Sequence, residues 1–293
     1  MHKFSGSNLN VVTDIRTMVL SQEDTEVLRW LRLNDTSANH NLARSKHVPS
    51  TGNWFLESDG FTKWSNASMS SIWLYGKPGS GKTILCSSII EQVEQLYQST
   101  PDQYGYFYFD FNQSWNVVDM LRSIVAQLCT RKKTVPSELR HLYQQCTGNQ
   151  RQPTQDILLK ILLSLLTTSH RTFIILDALD ECPLGKERNH LLNTLQQMLN
   201  SSPLHLNILV TSRKENEIEK KLTPLIDNTV PLEDSVVDLD IILYIRTCIK
   251  TDDQLQEWED DIKKDIEKAL CEKVQGMYDV LDYFANGKIG SDG

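Results

Sequence analysis

Residues 76–83 read GKPGSGKT and match the pattern G-x-x-x-x-G-K-[ST] in full. Glycines in this pattern let the backbone curl so that successive N–H groups point at phosphate oxygens, and a following helix adds its positive amino end. The ammonium of Lys82, which we expect to be solvated, can reach the outer phosphates, and the hydroxyl of Thr83 can bind Mg²⁺. The predicted phosphate-binding residues are Gly76, Lys77, Pro78, Gly79, Ser80, Gly81, Lys82 and Thr83.

A second chemical pattern is the apolar run FIIL at 173–176, which leads into the acidic sequence DALDE. A buried parallel strand that ends in an acid places a carboxylate at the carboxyl edge of the sheet, where open α/β sheets bind ligands. Asp177 is therefore the predicted partner of Mg²⁺, directly or through water. Either Asp180 or Glu181 can orient or deprotonate an attacking water, and their spacing does not decide between them. Glu181 is favoured because an acid slightly beyond the metal ligand leaves room for the water.

A third apolar run, ILV at 208–210, ends in the polar residues Thr211, Ser212 and Arg213. If this run is a strand of the same sheet, its polar end lies at the same edge. The guanidinium of Arg213 can then sense or neutralise the charge of a γ-phosphate. Arg213 thus completes the candidate catalytic set with Asp180 and Glu181.

Short apolar runs alternate with amphipathic segments from residue 71 onward. The runs predict strands, and segments with apolar residues three or four apart predict helices. Strands that alternate with helices indicate a parallel sheet with right-handed crossovers. We therefore expect an α/β fold, a three-layer P-loop NTPase sandwich, with strands at 72–75, 104–111, 172–176, 207–210 and 229–232 and helices at 83–97, 117–128, 155–168 and 187–200.

Helical segments are predicted on both sides of this region. Residues 23–33 predict one helix in an otherwise irregular lead-in, and aromatic residues at 54–64 predict a short helix that packs on the sheet. After residue 233, the segments 237–250 and 257–275 predict two more helices. The expected organisation is a lead-in and linker at 1–68, an NTPase domain at 69–235, the start of a helical lid at 236–277 and an irregular tail at 278–293.

Composition excludes several classes of protein. The 293 residues are 40% apolar, which is enough for a sizeable core, and the net charge of −8 gives no broad basic surface, so no nucleic-acid partner is expected. The most apolar stretch, 157–166, is interrupted by Lys160 and is too short to span a membrane. The amino-terminal residues show no secretory signal. The six cysteines form no CxxC pair, so we expect reduced thiols and a cytoplasmic protein.

Together these motifs give the sequence a specific resemblance. The chain resembles the NACHT-type STAND NTPases of fungal NLR-like proteins, and especially their nephrocystin-type N-terminal NTPase module. The resembling segments are WLYGKPGSGKT (73–83), YFYFDFN (106–112), LRSIVAQL (121–128), FIILDALDEC (173–182) and LVTSR (209–213), together with VLRWL (27–31), TGNWFLES (51–58) and EKVQGM (272–277).

The resemblance implies features that the residues alone do not. It implies that the strand ending in Arg213 lies between the P-loop strand and the acidic strand, and that the nucleotide base binds near residues 44–54. It also implies a switch that is closed with a diphosphate and able to oligomerise with a triphosphate. Such modules continue into a winged helix with a phosphate-contacting histidine. Here residues 278–293 depart from that pattern, which suggests a truncated or altered end.

The leading functional hypothesis is a nucleotide-binding switch that uses Mg²⁺ and ATP with slow hydrolysis, and whose partners are copies of itself or related NLR-like proteins. GTP stays open as the nucleotide, although a Ras-like GTPase is disfavoured because no N-K-x-D motif occurs. A small-molecule kinase is disfavoured because the acids at 177–181 suit attack by water. The alternative, from a different class, is a binding-only remnant or scaffold that holds nucleotide without turnover.

Overall fold

A computed structural model describes residues 20–32, 36–148, 150–201, 205–232, 234–251 and 256–273, so the predicted tail at 278–293 lies outside the described residues. Its centre is a five-stranded, fully parallel sheet in the order β2-β3-β4-β1-β5. The strands are β1 (Ser70–Tyr75), β2 (Gln103–Tyr108), β3 (Thr172–Asp177), β4 (Leu206–Ser212) and β5 (Asn228–Pro231). The strand that leads to Arg213, β4, lies between the P-loop strand β1 and the acidic strand β3, as the resemblance implied.

Helices cover both faces of this sheet. Their bounds are α1 (Gln22–Leu31), α2 (Thr36–Ser45), α3 (Asn53–Leu56), α4 (Asp59–Asn66), α5 (Lys82–Ser99), α6 (Val117–Lys132), α7 (Ser137–Gly148), α8 (Gln155–Thr167), α9 (Lys186–Asn200), α10 (Asn216–Leu222), α11 (Asp234–Thr251) and α12 (Asp260–Lys273). None of the described helices is both long and apolar enough to cross a membrane.

Alternate side chains of β1 to β4 enter two separate apolar cores, whereas the edge strand β5 is mostly exposed. In β3, Ile174 and Leu176 face a core built with α1 and α6 to α10, whereas Phe173 and Ile175 face a core built with α3, α4, α5 and α11. A strand that is buried on both faces needs a continuous apolar sequence, which explains the run FIIL. The helix–sheet–helix arrangement confirms the expected three-layer α/β sandwich.

The lead-in is more helical than the sequence suggested. Two helices were expected before residue 68, one at 23–33 and a short one at 54–64, but the described residues of this region form α1 to α4. Helix α2 has little apolar periodicity and is held instead by contacts with the sheet domain. The Nε of Arg44 lies 2.6 Å from Oε1 of Glu91, and Nδ1 of His40 lies 3.0 Å from the hydroxyl of Tyr108. Tertiary contacts of this kind override weak local signals.

Other elements differ in detail from their predicted bounds. Strand β2 ends at Tyr108, and a 3₁₀ turn at Phe111–Gln113 follows, in which the side chain of Asp110 accepts from the N–H of Asn112 at 2.9 Å. The helices α7 and α10 were not predicted. Four cysteines within the described residues are buried and Cys248 is half-buried, and none of these five forms a disulfide.

Candidate functional site

The loop that matches the phosphate-binding pattern joins β1 to α5, as expected. Its first residue is held at the sheet edge, where the N–H of Gly76 donates to the carbonyl of Ser212 at 3.3 Å. Gly79 and Gly81 have φ angles of 69° and 77°. L side chains rarely adopt this left-handed conformation, so the loop requires glycine at both positions. Helix α5 begins at Lys82 and directs its amino end toward the loop.

Lys82 is half-buried rather than solvated, which corrects the expectation from the sequence. Its Nζ donates to the carbonyls of Gly76 at 3.0 Å and Lys77 at 2.7 Å, and to Oγ of Ser80 at 3.3 Å. The ammonium therefore lies within the curl of the loop. A phosphate that binds there meets a lysine whose position is already set by the backbone.

Asp177 lies at the carboxyl end of β3 and is 1% exposed. Its Oδ2 accepts from the hydroxyl of Thr83 at 2.7 Å, and its Oδ1 accepts from the hydroxyl of Thr211 at 2.7 Å. Burial raises the pKa of this carboxyl, whereas the two hydroxyl donors and the nearby charge of Lys82 lower the pKa. The structure thus brings Thr83 and Asp177 together as the sequence predicted.

Thr211 is a site residue that the sequence reasoning missed. Besides donating to Asp177, its hydroxyl accepts from the N–H of Ala178 at 2.9 Å, so it fixes both the carboxylate and the backbone that follows it. The available signal was a polar residue at the end of an apolar strand, two positions before Arg213.

The donor set around Asp177 fits a magnesium ion. Mg²⁺ prefers oxygen ligands and is bound through one or two carboxylates together with substrate phosphates. The hydroxyl of Thr83 and the carboxylate of Asp177 provide adjacent oxygens beside the phosphate loop. Among the described residues, no group of three or more His, Cys, Asp or Glu side chains is arranged to hold a metal ion. Oxygens of a bound phosphate and water would supply further ligands for such an ion.

Asp180 is engaged with Arg213 through both of its carboxylate oxygens. Its side chain is 4% exposed, with Oδ2 3.0 Å from Nε of Arg213 and Oδ1 accepting from the N–H of Arg213 at 2.9 Å. The side chain of Arg213 remains 49% exposed. Asp180 therefore joins the turn after β3 to the turn after β4.

Glu181 has a different environment. Its Oε2 accepts a single long bond, of 3.3 Å, from the N–H of Phe111. Burial raises the pKa of Glu181, the N–H of Phe111 lowers the pKa, and the neighbouring carboxylates of Asp180, Asp177 and Asp110 raise the pKa further. A raised pKa suits a group that must accept a proton near neutral pH.

All of the predicted site residues from Pro78 to Thr83 line one cavity of about 410 Å³, together with Asp177, Asp180, Glu181 and Arg213. The same cavity is also lined by residues outside the predicted set. Helix α2 and the turn that follows it contribute Leu42, Lys46, Val48 and Thr51, and α11 contributes Tyr244. The sequence indicated the region 44–54 only through the resemblance, and it gave no signal for Tyr244.

A pair of hydrogen bonds to Asp240, here called the clasp, connects the turn that contributes Thr51 to α11. The carboxylate Oδ2 of Asp240 accepts from the N–H of Gly52 at 2.8 Å and from Nε1 of Trp54 at 3.1 Å. Burial raises the pKa of Asp240, and the two donors lower the pKa. The clasp joins the turn beside Thr51 to the helix that carries Tyr244.

We expect Asp240→Ala to lower the free energy of unfolding by roughly 1–3 kcal/mol, because it leaves two half-buried donors without their acceptor. Asp240→Asn keeps an acceptor oxygen and removes a partly desolvated charge, so its free energy of unfolding should stay close to that of the wild type. Urea denaturation of the three proteins checks this. Equal destabilisation by both substitutions would show that the charge itself, not the acceptor, makes the contribution.

The comparisons with known proteins agree with the site. The family model described as Nephrocystin 3, N-terminal matches residues 50–213. The vegetative incompatibility protein HET-E-1 of Podospora anserina is 27% identical over 176 residues, which are 58% of this chain and 13% of that protein. The chain therefore spans a small part of the curated relative that it matches.

Two solved structures are also similar to the chain. The ORC1 protein of Aeropyrum pernix in complex with DNA has a TM-score of 0.48 at 14% identity, covering 88% of this chain and 63% of that one. A DNA replication initiation factor has a TM-score of 0.47 at 14% identity, covering 83% of this chain and 61% of that one. At such scores neither structure informs the function of this chain.

The assignment rests instead on the strand order, the phosphate loop and the family match. The matched residues include the whole P-loop, Asp177, Glu181 and Arg213, and they make up more than half of the chain. The chain thus carries the NACHT-type NTPase module expected from its sequence, and it belongs to the family described as Nephrocystin 3, N-terminal.

Proposed function

We propose that this chain is a nucleotide-binding switch module that binds Mg²⁺ and a nucleoside triphosphate and hydrolyses the nucleotide slowly to the diphosphate. The observation that carries this proposal is the single cavity of about 410 Å³ that the P-loop shares with Asp177, Glu181 and Arg213. Phosphate-binding, metal-binding and water-orienting groups are needed together for this reaction. The same cavity is also lined by apolar and aromatic side chains that can accept a nucleoside.

The P-loop residues Gly76 to Thr83 would bind the phosphates, with Lys82 neutralising their charge. Thr83 and Asp177 would hold Mg²⁺, since they provide adjacent oxygens beside the loop. A bound magnesium ion supplies positive charge that offsets the negative charge developing on the phosphoryl oxygens. Thr211 would keep the carboxylate of Asp177 oriented through its 2.7 Å bond.

Glu181 would orient the attacking water and accept its proton. Both oxygens of Asp180 are bonded to Arg213, whereas the acceptor bond of Glu181 from Phe111 is long, so the geometry favours Glu181 over Asp180 as the base. Asp180 would instead set the position of Arg213. The exposed guanidinium of Arg213 would then stabilise charge on the γ-phosphate.

The nucleoside would bind between α2, the turn at 46–51 and Tyr244. Tyr244 offers an aromatic ring, and Leu42 and Val48 offer apolar surface for the flat base. We propose ATP as the nucleotide, with GTP as the alternative. Because Tyr244 belongs to α11, residues 236–277 would act as the start of a lid on an NTPase domain at 69–235, with residues 1–68 as the lead-in.

In the cell, we propose a cytoplasmic switch that oligomerises in response to a signal, with copies of itself or related NLR-like proteins as partners. The match to HET-E-1, a protein named for vegetative incompatibility, supports a signalling role. The alternative is a module that holds nucleotide without turnover. The ion pair between Arg213 and Asp180 favours that alternative, because it already compensates the charge that hydrolysis would use.

Nucleotide binding is tested by thermal unfolding with and without Mg²⁺–ATP. A ligand at 100 times its Kd stabilises a protein by about 2.7 kcal/mol, which is a rise in Tm of roughly 5–10 °C for a chain of this size. Lys82→Ala should abolish this rise, because it removes the ammonium at the centre of the loop. A matched control is Lys132→Ala. Lys132 is half-buried like Lys82, but it donates to Thr168 and does not line the cavity, so its loss should leave the rise unchanged.

The outcome that contradicts the proposal is a Tm that does not change with millimolar ATP, GTP or their diphosphates. Lys82→Ala must also fold for the comparison to hold. Its three bonds are all made to atoms of the P-loop itself, so the apolar cores are untouched and the variant should still unfold in one cooperative transition without nucleotide.

A further inference from the structure

Arg188 is a buried cation that lies outside the cavity and outside every sequence motif described above. It belongs to the first turn of α9 and is 2% exposed. A buried guanidinium is costly unless its donors are bonded and its charge is compensated. The groups that bond to Arg188 therefore indicate which parts of the chain this residue holds in position.

Two of these partners are the carbonyls on either side of Glu181. Nη2 of Arg188 donates to the carbonyls of Asp180 and Cys182, and its Nε also donates to the carbonyl of Cys182 at 3.2 Å. The planar guanidinium thus holds the backbone immediately before and after Glu181. This fixes the direction in which the side chain of Glu181 leaves the turn.

The remaining partner belongs to the neighbouring turn. Nη1 of Arg188 donates to Oε2 of Glu215 in an ion pair. The N–H of Glu215 donates in turn to the carbonyl of Arg213 at 3.0 Å, and the N–H of Arg213 donates to Asp180 at 2.9 Å. One buried side chain therefore connects the turn that carries Glu181 to the turn that carries Arg213.

We propose that Arg188 is a positioning residue that sets the base and the γ-phosphate-facing arginine relative to each other. It acts through Glu181 and Arg213, since it does not line the cavity. The proposal rests on the function proposed above for these two residues. The planar fork of arginine reaches both carbonyls and the carboxylate at once, which the point charge of lysine does not.

The first test needs no nucleotide. Amide hydrogen exchange, read by mass spectrometry on peptides covering 178–184 and 211–217, reports local opening of the two turns. We expect Arg188→Lys to speed exchange by about 10-fold or more in both peptides, because the amides of Glu181, Cys182, Arg213 and Glu215 are all bonded within these turns.

A matched control is Arg122→Lys. Arg122 is also 2% exposed and also donates to two carbonyls, those of Trp30 and Leu31, but it joins α1 to α6. Its substitution should leave exchange in both peptides unchanged. The proposal is overturned if Arg188→Lys affects only the 178–184 peptide, or if Arg122→Lys affects both peptides to the same degree.

The second test uses single-turnover hydrolysis of Mg²⁺–ATP. Arg188→Lys should slow hydrolysis by about 10-fold or more while the Kd for ATP changes by less than about 3-fold. Because Arg188 acts partly through Glu181, Arg188→Lys should slow hydrolysis less in the Glu181→Gln background than in the wild type, leaving only the part that acts through Arg213. An equal further loss in the Glu181→Gln background, or a matching loss of ATP affinity, would show that Arg188 is only structural.

If Arg188→Lys does not fold, Glu215→Ala removes the acceptor of Nη1 while leaving the carbonyl bonds of Arg188. It should still speed exchange in the 211–217 peptide, and no change there overturns the proposal. If the wild type binds ATP without turnover, hydrolysis is lost from the proposed function, and the exchange experiment alone decides the role of Arg188.

Discussion

Glu181→Gln should lower the rate of ATP hydrolysis by about 100-fold or more while keeping ATP binding. A positioned general base contributes roughly 10²–10⁴-fold to a rate. Glutamine has the same shape, and its amide oxygen can still accept from the N–H of Phe111, so the turn should be preserved. Loss of a negative charge beside the γ-phosphate leaves ATP affinity equal or higher. Single-turnover hydrolysis and a binding titration measure the two effects separately.

Asp180→Asn is the matched comparison for this prediction. It removes the charge that pairs with Arg213, so its effect on hydrolysis should be smaller and should act through the arginine. If Asp180→Asn abolishes hydrolysis and Glu181→Gln hydrolyses at the wild-type rate, the base is Asp180. If neither change matters and wild-type turnover is undetectable, the binding-only alternative is correct.

Asp177→Ala should weaken ATP binding in the presence of Mg²⁺ by about 10- to 100-fold. Contacts to charged groups contribute roughly 1.5–3 kcal/mol, and each 1.4 kcal/mol is a factor of about ten in affinity. The loss should vanish when the metal is chelated, because Asp177 would act on the nucleotide through the ion. Titrations of wild type and variant with ATP, in Mg²⁺ and in chelator, provide the measurement.

Asp177→Asn separates the charge from the local packing. In the native protein the hydroxyls of Thr83 and Thr211 both donate to Asp177. The amide oxygen of the asparagine can still accept from one of them. We expect its affinity for ATP in Mg²⁺ to fall nearly as far as that of Asp177→Ala. Wild-type affinity in Asp177→Asn would remove Asp177 from the metal site.

Most of the sheet could be predicted because burial on both faces leaves a strong sequence signal. The runs at 173–176 and 208–210 are continuous and apolar, and both became parts of central strands. The helices that were missed have weaker signals. Helix α7 places Leu139, Leu142 and Cys146 on one face within only twelve residues, and α10 has only Ile218 and Leu222 buried. Short helices with so few apolar residues depend on tertiary packing.

In the candidate site, too, some features could be predicted from the sequence and others could not. The residue at which a strand ends can be predicted from the adjacent sequence. The positions of Asp177 and Arg213 at one sheet edge therefore followed from the sequence and the parallel topology. The ion pair of Arg213 with Asp180 and the bond from Thr211 to Asp177 could not be predicted in this way. Each depends on the distance between the ends of two different strands. Arg188 gave no signal at all, since an arginine early in a helix is usually exposed.

The central claim is that one nucleotide binds at the P-loop with its magnesium ion. Titration calorimetry of the wild-type chain with ATP tests it most directly, first with Mg²⁺ and then with the metal chelated. The account predicts saturable binding of one ATP per chain, with an affinity that falls in chelator. Absence of binding at millimolar concentrations of ATP, GTP and both diphosphates would contradict the account.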